Sequence, residues 1–329
     1  MAKGQRKIGQ DIDPIIAEMP RACSDELVAV EFMEHQRWGD HPCCPHCGAD
    51  GVYKMTKRGT DERNARFLWR CRDCGKQYTV RVGTVLEDSA IPLRHWCFAF
   101  WKACTCKNGV AALEIKRQTG LSYKSALFMM HRIRYAMTAP SRDGLLDGVV
   151  EADETFVGGK AGNKIGRYGR APHMGAYSPI RQGRPKKAPV MVMIQRGGEA
   201  RASTIPSVTA ENLRKAIKEN VAPTATLATD EGRGYVPLGR EQEGGHLTVN
   251  HSQRQYVDDL AYTNTAESFF SGLKRSINGT YIHVSKRHLH RYVAQSEFLW
   301  NTRKQTDGER IVRAILGAEG KRLIYRSID

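Results

Sequence analysis

Three carboxylates stand where local patterns place metal-binding acids: Asp153, Asp230 and Glu267, with Lys274 seven residues after the last. Asp153 lies near the middle of an apolar run, Gly148 to Val157, that reads as a strand and runs into Gly158-Gly159. Asp230 ends a second such run, Ala225 to Asp230, before Glu231-Gly232. Glu267 sits in a stretch from Asn264 to Arg275 in which apolar residues recur at helical spacing. Two strand-borne acids and one helix-borne acid can converge on a pair of divalent cations. Such a pair suits phosphodiester chemistry, in which two Mg²⁺ about 4 Å apart neutralise the charge of an in-line displacement. Mg²⁺ is a hard ion held by few carboxylates, and Mn²⁺ can take its place. Asp153 is the acid best placed to bridge both ions, with Asp230 and Glu267 each completing one side.

Other assignments of the same residues stay open. Glu151 and Glu154 alternate around Asp153 and read equally well as strand-edge charges. Glu231 could exchange roles with Asp230. Asn264 shares a helix face with Glu267 three residues later and offers an amide oxygen as an alternative third ligand. Lys274 and Arg275 suit contact with DNA, and also suit a solvated helix end. No glycine-rich phosphate loop is present.

The elements that must position these acids begin with a cysteine framework. Cys44-Pro45-His46-Cys47-Gly48 and Cys71-Arg72-Asp73-Cys74-Gly75 are two CxxC pairs, each followed by glycine. Four thiolates close a tetrahedral zinc shell, and each trailing glycine permits the positive φ of a tight knuckle. With no open position, this Zn²⁺ serves folding rather than catalysis. Cys43 adjoins Cys44 but falls outside the CxxCG register. Cys23, Cys97, Cys104 and Cys106 read as core or surface thiols.

Lys and Arg total 51 against 35 Asp and Glu, a net charge of +16 over 329 residues. That excess favours a polyanion, and double-stranded DNA is the expected partner. No apolar run reaches the length of a membrane span and the N-terminus reads as polar, so a cytoplasmic protein without a membrane partner is expected. Nine cysteines in that compartment point to metal rather than disulfides.

Along the chain, residues 12–37 read as one or two short helices, 40–80 as the cysteine region with short strands, and 92–138 as helices broken near 106–109 and 119–122. Strands are expected over 149–157, 189–195, 200–205, 225–230 and 246–250. Helices are expected over 210–221, 264–276 and 286–303. This order predicts a mixed α/β domain around roughly five strands. Gly109 to Gly120 reads as a helix ended by glycine, and Ser122 then caps a second helix from Tyr123 to Met137. Ala126, Met129, Met130 and Ile133 face one side of that helix, and Lys124, Arg132 and Arg134 are expected to meet DNA as in a helix-turn-helix. A basic, glycine-rich stretch containing Lys160, Lys164, Arg167, Arg170, Arg181, Arg184, Lys186 and Lys187 reads either as a solvated loop or as a contact to the DNA backbone.

These parts together resemble bacterial insertion-sequence transposases with an N-terminal zinc ribbon. The likeness rests on the ribbon, the helix pair, Val150 to Lys160, Thr229-Asp230, Val249 to Ser252, Thr263 to Glu267 and Leu273-Lys274-Arg275. It continues through Leu289 to Val293 and Glu297 to Arg303. The resemblance implies a multidomain α+β protein: an N-terminal helical segment (1–38), a zinc ribbon (39–90), a helix-turn-helix (91–140), a ribonuclease-H-like domain with a mixed sheet (145–305) and a tail (306–329). It implies Mg²⁺ at Asp153, Asp230 and a third position that varies in this group between Asn and Glu; Glu267 is assigned because Lys274 then falls seven residues later. It also implies that Lys274 contacts the transposon end, that ribbon and helix pair recognise terminal inverted repeats, and that the protein is at least a dimer on DNA. The function expected is cleavage at element ends and strand transfer. A catalytically silent DNA-binding regulator and a structure-selective nuclease are the competing readings.

Overall fold

The computed structural model describes residues 12–139, 144–158, 187–230, 234–249 and 263–324. The chain forms two compact units, one of residues 1–142 with 298–329 and one of residues 143–297.

The first unit opens with α1 (Pro14–Ser24) and α2 (Glu26–Trp38). Asp13 starts α1 by accepting from the N–H of Ile15 and Ile16, and Asp25 starts α2 through Val28 N–H. A small antiparallel sheet follows, β1 (Val52–Lys54), β2 (Trp69–Cys71) and β3 (Gln77–Tyr78), in that spatial order. Next come α3 (Leu93–Thr105), α4 (Ala112–Thr119) and α5 (Tyr123–Ala136). Gly120, at φ 74°, ends α4, and Ser122 caps α5 by accepting from Ser125 N–H at 3.1 Å. The helix, glycine turn and Ser cap therefore fall where the sequence places them.

The second unit is a five-stranded sheet with helices. Its strands are β4 (Val149–Val157), β5 (Ala188–Gln195) and β6 (Ala200–Thr204). After α6 (Ala210–Asn220) come β7 (Thr226–Asp230), a short α7 (Val236–Gly239) and β8 (His246–Val249). The spatial order is β6-β5-β4-β7-β8. Pairs β6–β5 and β5–β4 are antiparallel, β4–β7 and β7–β8 parallel, so the sheet is mixed. Val150, Ala152, Met191 and Met193 share a core with Leu213 and Ile217 of α6. Helices α8 (Asn264–Arg275) and α9 (Leu289–Asn301) follow, α8 packing against β4 and β5.

The chain then returns to the first unit. Residues expected as a tail form α10 (Asp307–Leu316), opened by a capping box between Thr306 and Glu309. It packs against α1, α2, α3 and α5, and its Ile311, Ala314 and Ile315 join the core around Trp96, Phe100, Met129 and Met130. The N-terminal helices likewise share this core rather than standing as a separate segment.

Candidate active site and zinc centre

The parallel pair β4–β7 sets the position of the two strand-borne acids. Its register runs Val149↔Thr226, Val150↔Leu227 and Glu151↔Ala228, and no pairing continues beyond. Asp153, in the middle of β4, and Asp230, the last residue of β7, each lie two residues past that last pair on adjacent parallel strands.

Glu267 comes to the same place from α8. Asp153, Glu154, Thr155, Glu267, Phe270, Ser271, Lys274, Arg275, Asn278 and Gly279 line one open cleft of about 790 Å³. Neither Asp230 nor Asn264, which is exposed at the first position of α8, is among its walls. Burial pushes the Asp153 carboxyl up to about 7; repulsion from Asp230, Glu154 and Glu267 adds to the rise, and Glu154 N–H opposes it by donating to Oδ1 at 2.7 Å. The charges of Asp230, Glu154 and Glu267 thus all bear on Asp153. Glu154 is also raised, by burial first, while the hydroxyl of buried Tyr235 donates to its Oε2 at 2.5 Å and holds the carboxylate form. Lys274 and Arg275 are exposed on the cleft wall.

Glu151, legible in sequence only as a strand-edge charge, is fully buried. Its carboxylate accepts from Thr265 N–H (3.0 Å), Thr265 hydroxyl (3.0 Å) and Ala266 N–H (3.2 Å), and pairs with Arg196 at 3.0 Å. Thr263, at the N-cap of α8, makes no side-chain capping bond. A carboxylate at a helix N-terminus satisfies orphan N–H groups and suits the helix dipole, so β4 provides the cap that α8 lacks. Glu267 is in the first turn of that helix. No local signal marks this role, since Thr263, Asn264 and Thr265 are all of the types that cap helices and nothing in the sequence shows that α8 takes its cap from β4.

The zinc centre is built as its spacing requires. Cys44, Cys47, Cys71 and Cys74 bring their Sγ atoms within 4.8 Å of one another, with Cys44–Cys74 at 3.7 Å and Cys47–Cys71 at 3.6 Å. Thiolates around one zinc at 2.3 Å stand roughly 3.8 Å apart, so the four fit a structural Zn²⁺. Gly48 and Gly75 take φ of 77° and 69°, the conformation the knuckles demand. Cys43 is exposed and outside the cluster, and His46 is exposed on the loop. Cys97 and Cys104 are core thiols, raised by burial; Cys23 and Cys106 are half-buried. Among the described residues the cysteines are the one such set; the acids do not share a common 4.8 Å sphere.

Of the residues expected on a DNA-facing helix, Lys124 is exposed at the start of α5. Arg132 and Arg134 are not: they are 8% and 1% exposed. The rear half of α5 is enclosed on all sides, and Arg132 spends its charge on the Glu87 carbonyl at 2.9 Å and the Phe128 ring. Lys187 is exposed just before β5. Lys186, the rest of the basic stretch, Glu231 and 250–252 lie outside the described residues. No helix among the described residues is long and apolar enough to cross a membrane.

Comparison with known proteins agrees with these parts. Residues 145–301 match the ISXO2-like transposase domain, and residues 24–77 match a transposase zinc-ribbon domain. An uncharacterized protein in transposable element ISH50 of Halobacterium salinarum is 30% identical over 253 residues, 76% of this chain and 82% of that protein. The chain belongs to this family of insertion-sequence transposases with an N-terminal zinc ribbon. One solved structure, a simian T-cell lymphotropic virus intasome in complex with the PP2A regulatory subunit B56 gamma, matches at 14% identity. That match covers 60% of this chain and 66% of the other, with a TM-score of 0.29, too slight a likeness to support an argument.

Proposed function

We propose that the chain is a DNA transposase that binds the terminal inverted repeats of an insertion sequence and catalyses Mg²⁺-dependent DNA cleavage and strand transfer. The observation that carries this reading is the approach of Asp230 and Glu267 to Asp153, whose carboxyl is raised to about 7 by burial first and by their charges in addition. Acids held together against their own repulsion suit hard divalent cations. Bound Mg²⁺ or Mn²⁺ would supply Lewis acidity toward the phosphodiester. Asp153, Asp230 and Glu267 would hold the ions, and Glu154, kept in place by Tyr235, would add negative charge behind them. Lys274 and Arg275 would receive the phosphates of the element's end.

Strand order and direction, three antiparallel strands extended by two parallel ones, support the ribonuclease-H-like assignment for 145–305. The place of Glu267 on the cleft wall, where Asn264 is absent, supports Glu267 as the third ligand. End recognition would fall to the ribbon and to α4–α5 acting as a helix-turn-helix through Lys124, with Lys187 and Lys186 on the backbone. Pairing of two ends requires at least a dimer on DNA.

The test is a labelled duplex carrying the element's terminal repeat, incubated with Mg²⁺ and a target plasmid. Joined products from wild type and Asn264→Ala, but not from Glu267→Gln, are expected. Tight binding with no cleavage in Mg²⁺ or Mn²⁺ would replace this reading with the DNA-binding regulator, and cutting without joining with the nuclease.

A further inference from the structure

Beyond α8 the chain runs through a π-helical turn, Ser276–Tyr281, whose Asn278 and Gly279 belong to the wall of the acidic cleft. The next residue, Ile282, has φ 62° and ψ −48°, and His283 N–H donates to the Tyr281 carbonyl at 2.6 Å. This is the γ-turn of the rare, strained hand. Of the non-glycine residues with positive φ among those described, Phe67, Asp88 and Ile282, only the last is β-branched, the type least suited to that region. Packing does not hold it there. Ile282 is 71% exposed, matched among the described large apolar residues only by Ile12.

The turn is held from beneath instead. The Tyr281 ring packs edge-on against Tyr292 at 4.7 Å, and its hydroxyl donates to Gln295 Oε1 at 2.9 Å. Both partners lie on α9, so the residue after Tyr281 projects from an anchored base. Exposed cations flank it on both sides: Lys274 and Arg275 before, Lys286 and Arg287 after. A strained backbone that presents an apolar side chain to water, amid positive charge, fits a partner that is anionic outside and apolar between its layers. Stacked nucleic-acid bases have that character, and proteins that distort duplexes insert Ile, Leu, Met or Phe between base steps.

We propose that Ile282 is a wedge that enters the base stack of a duplex DNA end whose backbone lies in the acidic cleft; this rests on the transposase reading above. Gly279 and Ile282 are three residues apart, at most about 11 Å along the chain. A step along one strand is about 3.4 Å, so the wedge would act within roughly three base steps of the nucleotide that meets the Gly279 wall of the cleft.

The probe is a terminal-repeat duplex with 2-aminopurine placed in turn at each outer position, bound in Ca²⁺ to hold back cleavage. Wild type is expected to raise fluorescence at one position. Ile282→Gly should abolish that rise while end binding, read by anisotropy, persists; Ile282→Met should restore the rise. Relief of the strained φ should also raise the Tm of Ile282→Gly by roughly 2–4 °C. A gain in stability with a loss of unstacking is not the behaviour of a structural residue. Duplex binding without a fluorescence rise, or a rise that survives Ile282→Gly, overturns the wedge alone, as does a lowered Tm. Loss of self-association in Ile282→Gly with unchanged fluorescence would assign the residue to contact between copies and overturn it too. Absence of end binding by wild type overturns the transposase reading and the wedge with it.

Discussion

Glu151 and Thr265, 114 positions apart, are joined twice: the Thr265 N–H and its hydroxyl both donate to the Glu151 carboxylate at 3.0 Å. One strand thus carries Asp153 and, one repeat earlier on the same face, the anchor of the helix that brings Glu267. Glu151→Ala removes the acceptor from buried donors and from Arg196, and should cost about 3–5 kcal/mol. Glu151→Gln keeps one carbonyl acceptor and should cost roughly 1–3 kcal/mol. Urea unfolding of both variants checks this; equal, small losses would mean that α8 is held by its apolar face alone.

Asp153→Asn should stabilise the metal-free protein. The folded carboxyl sits at about 7 against an ordinary value of 3.8, so its contribution is fully present below the unfolded value and is lost as pH rises through the folded one. At pH 8 the wild type therefore carries the whole penalty, up to about 4 kcal/mol, and Asn escapes it. The Tm gain of Asp153→Asn should be largest at pH 8 and shrink as pH falls toward 4. Mg²⁺ should raise the Tm of wild type more than that of the variant. A gain independent of pH would show that repulsion among the acids is not its source.

Cys44→Ser should abolish zinc binding and unfold the ribbon, as metal analysis and the near-ultraviolet signal of Trp69 and Tyr78 will report; these rings pack with Cys44 and Cys71 in one small core. Undisturbed zinc content would overturn the assignment. Chelation should make the four ligand thiols reactive while Cys97 and Cys104, buried and raised, stay protected until global unfolding.

Glu34 ties α2 to the ribbon: it accepts from Arg63 through both oxygens, at 2.9 and 2.8 Å, and from the Trp69 indole N–H at 2.7 Å. Glu34→Leu should destabilise by roughly 3–5 kcal/mol because it leaves the Arg63 charge in a half-buried place. Trp69 emission should shift early in the denaturation curve. A variant as stable as wild type would mean the zinc alone sets the ribbon's position.

Lys124→Ala should weaken end binding, and should flatten the salt dependence of binding by about one counterion. Arg132→Ala should lower Tm through the lost Glu87 carbonyl bond and Phe128 contact. If Arg132→Ala instead weakened binding at constant Tm, the buried description of α5 would be wrong.

Much of this molecule was legible from local pattern. Period-two and helical spacing placed every major element of the second unit within a few residues, and two CxxCG repeats gave the four thiols. What escaped was set by partners far along the chain. Arg132 and Arg134 look solvent-facing on a helical wheel, yet are interior, Arg132 against the Glu87 carbonyl 45 positions earlier in the chain. The buried role of Glu151 depends on a helix 114 residues away. The parallel register that sets Asp153 beside Asp230 leaves no mark on either strand alone. One miss was avoidable: Thr306-Asp307-Gly308-Glu309 before Arg310-Ile311-Val312 is a capping box ahead of an apolar stripe, and marks α10 in what read as a tail.

Because α10 closes the core formed by α1, α2, α3 and α5, the first unit is assembled from both ends of the chain. Asp13 binds the Thr306 hydroxyl at 2.6 Å, and a Cβ at Gly308 would collide with that carboxylate. During synthesis the residues of the acidic unit all emerge before α10 does, so the unit begun first is the one finished last. A nonsense codon near Arg303 would spare every acid of the cleft yet leave Met129, Met130 and Trp96 without their cover. Truncated copies of such a gene would be silenced by the failure of their amino-terminal unit, through a lesion at the opposite end.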